Sequence, residues 1–307
     1  RVFGAYLQQT WQPAKGFALN AGARLDYDQR YGYQVSPRVA IAVGAWRDAT
    51  LKAVYSEAFR APSWAESNRA VGTQLPANDL RAETVRSFET SVEQKLGAHR
   101  LLFGVFASMW SDLVELKVLN PDELQQAKDA GAASFGTRTA SQFRNISALR
   151  NVGWNAGYDG STAAETLRSA LNVTSSVTRD DHDGVEHPIA VAPSMFGNAR
   201  ISYALPDAWP TLGVAGYYFS RRPADRAFDG VFAARPYAPP QVELRTSVTG
   251  KVPFLPHLTY RGSANYAFAA QGPYVIGPNQ GSSSKIVTAE LIPVDKFRAS
   301  IGVQYDF

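Results

Sequence analysis

The sequence predicts an all-β protein, an antiparallel up-and-down transmembrane β-barrel, from three observations. Apolar and polar residues alternate with a period of two along most of the 307 residues. Many alternating segments are ten residues long or more, whereas strands of globular proteins average about five or six. The connections between them alternate between short and long. Since a strand that crosses a bilayer obliquely needs about 9–11 residues, a membrane barrel is favoured over a soluble sandwich.

The segment Phe17–Asp28 shows the alternation clearly. Its odd positions are mostly apolar and its even positions are polar or small, as in a strand with one apolar side. The apolar side chains that we expect to point outward from such strands include Leu19, Ile41, Leu171, Leu244 and Ile301. Thirteen such strands are predicted, at about 2–12, 17–28, 34–43, 50–60, 83–95, 99–118, 143–158, 163–179, 195–205, 211–221, 240–249, 257–268 and 295–307. Only about residues 121–132 are expected to be helical.

The long connections all fall at one predicted end of the strands. Outer-membrane barrels have short periplasmic turns and longer extracellular loops, so the long connections are expected to be extracellular. They are Gln29–Tyr33, Ala61–Ala82, Leu119–Gln142, Asp180–Ser194, Arg222–Pro239 and Ala269–Val294. A soluble β-protein such as a lectin has no reason for this alternation, but it stays an alternative.

Composition excludes several classes of function. The chain has no cysteine, which excludes a disulfide scaffold, a cysteine-ligated zinc site and thiol catalysis. A mean hydropathy of −0.22 without a long apolar run excludes a helical membrane span. The net charge of +4 is modest and indicates no nucleic-acid partner. No serine-hydrolase, zinc-protease or phosphate-loop motif is present, so we expect neither an enzyme nor a cofactor. An outer-membrane hydrolase that uses one of the four histidines stays an alternative.

The number of strands predicts an incomplete barrel. Bacterial single-chain barrels have an even number of strands, and thirteen is odd. We therefore expect residues 1–307 to be one partial barrel domain that lacks N-terminal strands. A further strand within Lys285–Ile292 would change this parity and would suit a complete, porin-like barrel through which solutes diffuse passively.

Several motifs resemble, in their order and spacing, the C-terminal barrel part of TonB-dependent outer-membrane receptors. The segment Ser36–Ala40 resembles the Ser-Pro-Arg strand of that family. The segment Tyr55–Ser63 resembles its tyrosine strand that ends in Phe-Arg-Ala-Pro. The segment Asp79–Glu83 resembles the element that opens the next strand, and Phe106–Val114 resembles the strand after that. The terminal Phe307 resembles the aromatic residue that such barrels present to the barrel-assembly machinery.

The resemblance implies a place and a function. The family has a 22-stranded barrel filled by an N-terminal plug, and this chain would supply about the last thirteen strands, without a plug or a TonB box. The implied location is the bacterial outer membrane, with membrane lipid as a partner and TonB as a partner through the missing plug. The implied activity is import of a scarce solute, bound at extracellular loops, with TonB-derived energy. A ferric siderophore is the first expectation for this small metal-chelate ligand, before cobalamin and a glycan.

Candidate substrate-binding residues lie in or beside the long connections. Arginine binds carboxylates and phosphates with two hydrogen bonds, and tryptophan stacks on flat ligands. His182 and His187 lie in an acidic segment that offers imidazole and carboxylate groups to a cation, although a solvated loop explains it better. We therefore expect no metal site. The candidates are Arg60, Trp64, Arg69, His182, His187, Arg221 and Arg222.

Overall fold

The computed structural model describes most of the chain, and most of the described residues form one large sheet. The described residues are 2–70, 73–162, 165–182, 185–188, 193–206, 209–223, 237–238, 240–268, 274–275, 289–290 and 296–306. Among them there is no helix that is long and apolar enough to span a membrane. The two helices that are present are short, and both lie in connections between strands.

The elements follow one another in the following order. The strands and helices are β1 Val2–Ala14, β2 Phe17–Asp28, β3 Gly32–Trp46, β4 Ala49–Arg60, α1 Trp64–Asn68, β5 Gln74–Leu75, β6 Glu83–Leu96, β7 His99–Val118, α2 Pro121–Asp129, β8 Ser141–Ser161, β9 Leu167–His182, β10 Val185–Pro188, β11 Met195–Ala204, β12 Thr211–Phe219, β13 Arg222–Pro223, β14 Tyr237–Ala238, β15 Gln241–Val252, β16 Leu255–Ala267, β17 Tyr274–Val275, β18 Ala289–Glu290 and β19 Phe297–Tyr305.

The large sheet is an antiparallel meander. Its order is β1-β2-β3-β4-β6-β7-β8-β9-β11-β12-β15-β16-β19, so each long strand pairs with the next long strand along the chain. Two short strands complete this 15-stranded sheet, β10 beside β9 and β5 beside β8. Among the described strands, β5 alone runs parallel to its partner. The thirteen long strands confirm the predicted all-β antiparallel fold, because period-two alternation and short turns favour pairing between neighbours in sequence.

Some predicted boundaries were wrong. The connection predicted at Gln29–Tyr33 is only a tight turn, because β3 already begins at Gly32. The helical segment predicted at 121–132 ends at Asp129, and α1 was missed because one turn of helix has too little periodicity to detect. The loop predicted from Asp180 is instead a hairpin of β9 and β10. The pair Asp183–Gly184 between them is a sequence signal for such hairpins.

One face of the sheet is apolar and uncovered. Leu19 and Ile41 are direct partners on β2 and β3, and cross-strand partners share a face. Following the register from strand to strand places Leu171, Leu244 and Ile301 on this same face, as the sequence predicts. Their side chains are 45%, 37% and 91% exposed, and Ile41 is 38% exposed. No second layer packs against them among the described residues, and a lipid bilayer suits such a surface.

The buried hydrophobic cluster lies in the connections rather than between layers. It has five buried members. They are Leu75 of β5, Leu119 directly after β7, Leu124 of α2, and Ala133 and Ala140 after α2. We call the two connections that supply them, residues 61–82 and 119–140, the loop cap. The loop cap is described except for residues 71 and 72.

Candidate substrate-binding edge of the sheet

The candidate residues that the structure describes lie at one edge of the sheet, the edge at which the long connections join the strands. Arg60 ends β4, Trp64 and Arg69 begin and cap α1, and His182 ends β9. His187 belongs to β10, and Arg221 and Arg222 follow the end of β12. These positions therefore lie where the long connections join the strands, and their role in substrate binding stays a prediction.

Arg60 joins two strands to the loop cap. Its guanidinium donates to Glu83 at 2.6 and 2.5 Å and to Glu66 at 3.0 Å through two further bonds. Glu83 opens β6 directly opposite Arg60 and also accepts the backbone N–H of Val114 on β7 at 2.8 Å. A guanidinium held by two carboxylates has few donors left for a ligand, so its contacts fit a positioning role.

The first connection is held above the sheet by α1. Ser63 caps this helix by accepting the N–H of Glu66 at 3.2 Å, while the Glu66 carboxylate accepts the N–H of Ser63 at 2.6 Å. The hydroxyl of Tyr31, in the neighbouring turn, donates to the carbonyl of Pro62 at 2.9 Å. Trp64 is left 68% exposed on this fixed turn. The side chain is thus positioned but available to a ligand.

The second connection carries α2, which begins with the same kind of cap. Asn120 accepts the N–H of Glu123 at 2.8 Å, and the Glu123 carboxylate accepts the N–H of Asn120 at 2.8 Å. Glu123 also accepts from Arg144 of β8 at 2.6 Å. Leu124 of this helix is buried in the cluster of the loop cap. The helix is therefore fixed by its cap, an ion pair and apolar packing.

A junction around Asn145 ties the first connection to β7 and β8. The Asn145 carbonyl oxygen accepts the N–H of Arg81 at 2.8 Å, and its amide donates to the carbonyls of Arg81 and Asp112 at 3.0 and 2.5 Å. Asp112 has a positive φ of 58° within a bulge of β7, and its carboxylate pairs with Arg81 at 2.5 Å. The bulge turns the Asp112 backbone toward Asn145.

Two carboxyl groups of the loop cap have lowered pKa values. Desolvation raises the pKa of Glu66, but hydrogen bonds from Arg60 and Ser63 more than offset it, so this pKa lies below its usual range. The hydrogen bond from the backbone of Asn120 lowers the pKa of Glu123, and Arg144 adds to the effect. Both groups are therefore carboxylates at neutral pH, and their bonds to the caps persist there.

The structure describes the backbone of the segment that contains His182 and His187, but not the side chains of these histidines. In the β9–β10 hairpin His187 is the backbone partner of Asp180, and His182 is the partner of Val185. The side chains of both histidines and of Arg222 lie outside the described residues, as does Phe307. Among the described residues no group of three or more histidine, aspartate or glutamate side chains could hold a metal ion. The roles predicted for His182, His187 and the acidic segment around them, and the assembly role of Phe307, therefore stay predictions.

The opposite, polar face of the sheet contains a cavity of about 630 Å³ near the short turns. Arg168, Arg200 and Arg245 line it from three different strands. Each is close to an acid: Arg168 to Glu165 at 2.7 Å, Arg200 to Asp159 at 3.9 Å and Arg245 to Glu243 at 3.3 Å. The polar face thus carries several arginines, but the three that line this cavity are largely balanced by acids.

The features that sequence reasoning missed are the contacts between the two connections. The buried cluster unites residues about 50 positions apart, from Leu75 to Leu124. Apolar residues in loops give no periodic signal, and the Asn145 junction depends on a bulge that only the fold defines. The capping patterns Ser63-Trp64-Ala65-Glu66 and Asn120-Pro121-Asp122-Glu123 are local signals of order in this region.

A long antiparallel meander with one uncovered apolar face and structured loops at one edge defines a membrane β-barrel protein of the outer-membrane type. Residues 1–242 match the family model "TonB dependent receptor-like, beta-barrel". The chain belongs to this family of outer-membrane β-barrel proteins.

Curated and solved relatives are consistent with this assignment. An iron-regulated outer membrane virulence protein of Vibrio cholerae is 32% identical over 232 residues, which cover 70% of this chain and 34% of that protein. This chain thus spans about a third of the length of that relative. The siderophore receptor PirA of Acinetobacter baumannii matches with a TM-score of 0.72 at 14% identity, over 100% of this chain and 46% of PirA. The copper transporter OprC matches with a TM-score of 0.68 at 13% identity, over 100% of this chain and 49% of OprC. At these identities the two structures establish the fold alone.

Proposed function

We propose that this chain forms part of an outer-membrane receptor that binds a ferric siderophore at its extracellular loops and imports it with energy derived from TonB. The observation that carries the proposal is the membership of the family together with the names of its relatives, an iron-regulated protein and a siderophore receptor. The solved ferric enterobactin receptor of Pseudomonas aeruginosa matches with a TM-score of 0.67 over 86% of this chain.

The loop cap offers suitable groups for such a ligand. Trp64 is exposed on a turn that α1 and Arg60 hold in place, so it can stack on a flat catechol or hydroxamate group. Arg69 is exposed at the end of the same helix, and Arg221 is exposed at the same edge of the sheet. Guanidinium groups suit anionic iron chelates. In this proposal His182, His187 and Arg222 are further ligand contacts, and Arg60 positions the turn that presents Trp64.

Uptake of radiolabelled ferric siderophores tests this function. The complete gene product would be expressed in an iron-starved host that lacks its own receptors, and catecholate, hydroxamate and carboxylate chelates would be compared. We expect uptake of one class, loss of uptake after a protonophore, and a several-fold higher KM for Trp64→Ala with an unchanged amount of receptor. Gln126→Ala, an exposed change on α2, is the matched control.

Two results would contradict the proposal. Uptake that survives the protonophore would indicate passive diffusion through a porin-like channel instead. Failure of all iron chelates, combined with uptake of a copper complex, would move the cargo to the metal named for OprC.

A further inference from the structure

The polar face of the sheet carries two exposed aromatic rings near the long connections. Phe196 is the second residue of β11 and Phe219 is the last residue of β12, and the two are direct register partners. Their rings are nearly parallel, with an interplanar angle of 17° and a centroid distance of 6.2 Å. Phe196 is 38% exposed and Phe219 is 40% exposed. We call these two residues the phenylalanine pair.

The register places the phenylalanine pair on the polar face. Phe196 lies four residues before Arg200, which lines the polar-face cavity, and residues an even number of positions apart share a face of a strand. Tyr217 lies two residues before Phe219, and the guanidinium of Arg245, another residue of that cavity, lies 5.5 Å from the centre of the Tyr217 ring. Both rings therefore project from the side of the sheet that is opposite to the lipid-facing side.

The neighbours of the pair are polar and have unused hydrogen-bonding groups. Thr174 is the register partner of Phe196 on β9, and Gln241 is the register partner of Phe219 on β15. Asn198 lies two residues after Phe196 on the same face. These three side chains make no hydrogen bond in the part of the chain that the structure describes, and all three are half-buried. A hydroxyl and two amide groups thus border the rings with free donors and acceptors.

This combination indicates a binding surface for a small molecule. Burial of a phenylalanine side chain is favourable, so rings that stay partly exposed among polar neighbours are available to cover a ligand. Small-molecule sites combine aromatic surface with a few polar groups that fix the orientation of the ligand. A planar ring can stack on either phenylalanine, because aromatic pairs are stable at centroid distances of about 4.5–7 Å. Hydroxyl groups on that ring can then bond to the polar groups beside the pair.

The position of the pair favours a small ligand over a lipid or a segment of protein. Lipid contacts the apolar face, which is the other side of the sheet. Phe196 and Phe219 both lie where the long connections join the strands, and a ligand arrives at this edge in the proposed function. A ligand with hydroxylated rings satisfies both the exposed aromatic surface and the unused hydrogen-bonding groups.

We propose that the phenylalanine pair binds a hydroxylated aromatic ring of an iron chelate, so that the substrate is of the catecholate class. This inference rests on the proposed function, because it assumes that an iron chelate is the ligand. The pair is a second contact surface, separate from Trp64. Five strand-to-strand steps lead from β4, beside Trp64, to β11, which is about 24 Å around the sheet.

Isothermal titration calorimetry on the complete gene product in detergent tests the proposal. The probes are a ferric tris-catecholate and ferric citrate, which is also anionic but has no aromatic ring. We expect the wild type to bind the tris-catecholate more tightly. For Phe196→Leu/Phe219→Leu we expect a loss of affinity on the order of tenfold for this probe alone.

Two further variants serve as controls. Phe196→Tyr/Phe219→Tyr keeps both rings and should bind the tris-catecholate as the wild type does. Tyr218→Leu/Phe268→Leu removes two exposed rings from the apolar face and should also leave binding unchanged. Heat-modifiable migration confirms that each variant has folded.

Several outcomes would overturn the proposal. These are equal affinity of the wild type for the two probes, or the same loss in both leucine double variants. A Phe196→Leu/Phe219→Leu variant that binds normally but unfolds at a lower temperature would also overturn it, because the rings would then pack against another part of the gene product. The comparison of the two probes uses the wild type alone, so it decides the question even if the variant does not fold.

Uptake measurements on the same variants separate this proposal from the proposed function. Ring-dependent binding of the tris-catecholate without uptake of any chelate would contradict import and leave the phenylalanine pair as a binding site. Uptake of an iron chelate together with binding that does not depend on the rings would contradict the role of the pair and leave the proposed function intact.

Discussion

Arg60 and Glu83 occupy directly opposed positions at the ends of β4 and β6, and two hydrogen bonds of 2.5 and 2.6 Å join their side chains. Because Arg60 also holds Glu66, the pair connects the rim of the sheet to the turn that presents Trp64. The role of Arg60 is therefore accessible to experiments that do not require a known ligand.

Replacing Arg60 by alanine should loosen the loop cap. Arg60 is 48% exposed, so solvent screens its ion pairs and we expect a loss of about 1 kcal/mol, or about a fivefold increase in local opening. Limited proteolysis of residues 61–82 in intact outer membranes measures this. The control is Arg69→Ala, at the exposed end of α1. If both variants are cleaved at the wild-type rate, Arg60 does not anchor the turn.

Acid should loosen the loop cap around α2. The pKa of Glu123 in the folded protein is lowered from a reference value of 4.5. Its contribution to stability is therefore fully present above about pH 4.5 and is lost as the pH falls through the lowered pKa. Hydrogen exchange of residues 119–140, corrected for intrinsic rates, should be constant from pH 7 to pH 5 and less protected below about pH 4. In Glu123→Gln this loss of protection below about pH 4 should be absent. An unchanged loss of protection would mean that another group causes it.

Removing the side chain of Asn145 should free the first connection from the sheet. Asn145→Ala deletes three hydrogen bonds to the backbones of Arg81 and Asp112, which we expect to cost about 1–3 kcal/mol. Hydrogen exchange of residues 73–82 should accelerate accordingly. The matched control is Asn151→Ala on the same strand, where the side chain accepts one bond from Thr178. Equal exchange in both variants would contradict the proposed junction.

A charge on the apolar face should impair insertion into the membrane. Leu171→Arg places a guanidinium among lipid-facing residues at a cost of about 2–4 kcal/mol near the bilayer centre. Asn172→Arg puts the same group on the polar face of the same strand. The folded fraction, measured as the heat-modifiable band, should fall for Leu171→Arg only. A similar fall in both variants would mean that the two faces are not distinguished by the membrane.

Sequence patterns predicted the long strands because most of them carry their own period-two signal. Leu19, Ile41, Leu171, Leu244 and Ile301 could be assigned to one face before any pairing was known. The edge at which Arg60 and Trp64 lie followed from the alternation of connection lengths. The contacts of the loop cap could not be predicted in this way. The contacts of Leu75 with the cluster around Leu124, and of Asn145 with Arg81, depend on how the intervening strands pair. Such non-local contacts give no periodic pattern in the sequence.

The shared apolar cluster of the loop cap also limits how the exposed surface of this protein can change. Leu75 comes from one connection, whereas Leu119 and Leu124 come from another. An insertion or deletion in either segment would expose or crowd the side chains of the other. Engineers who transplant one of these segments onto a different receptor should therefore transfer both together, and natural variants that escape antibodies or phages at this surface should carry paired changes.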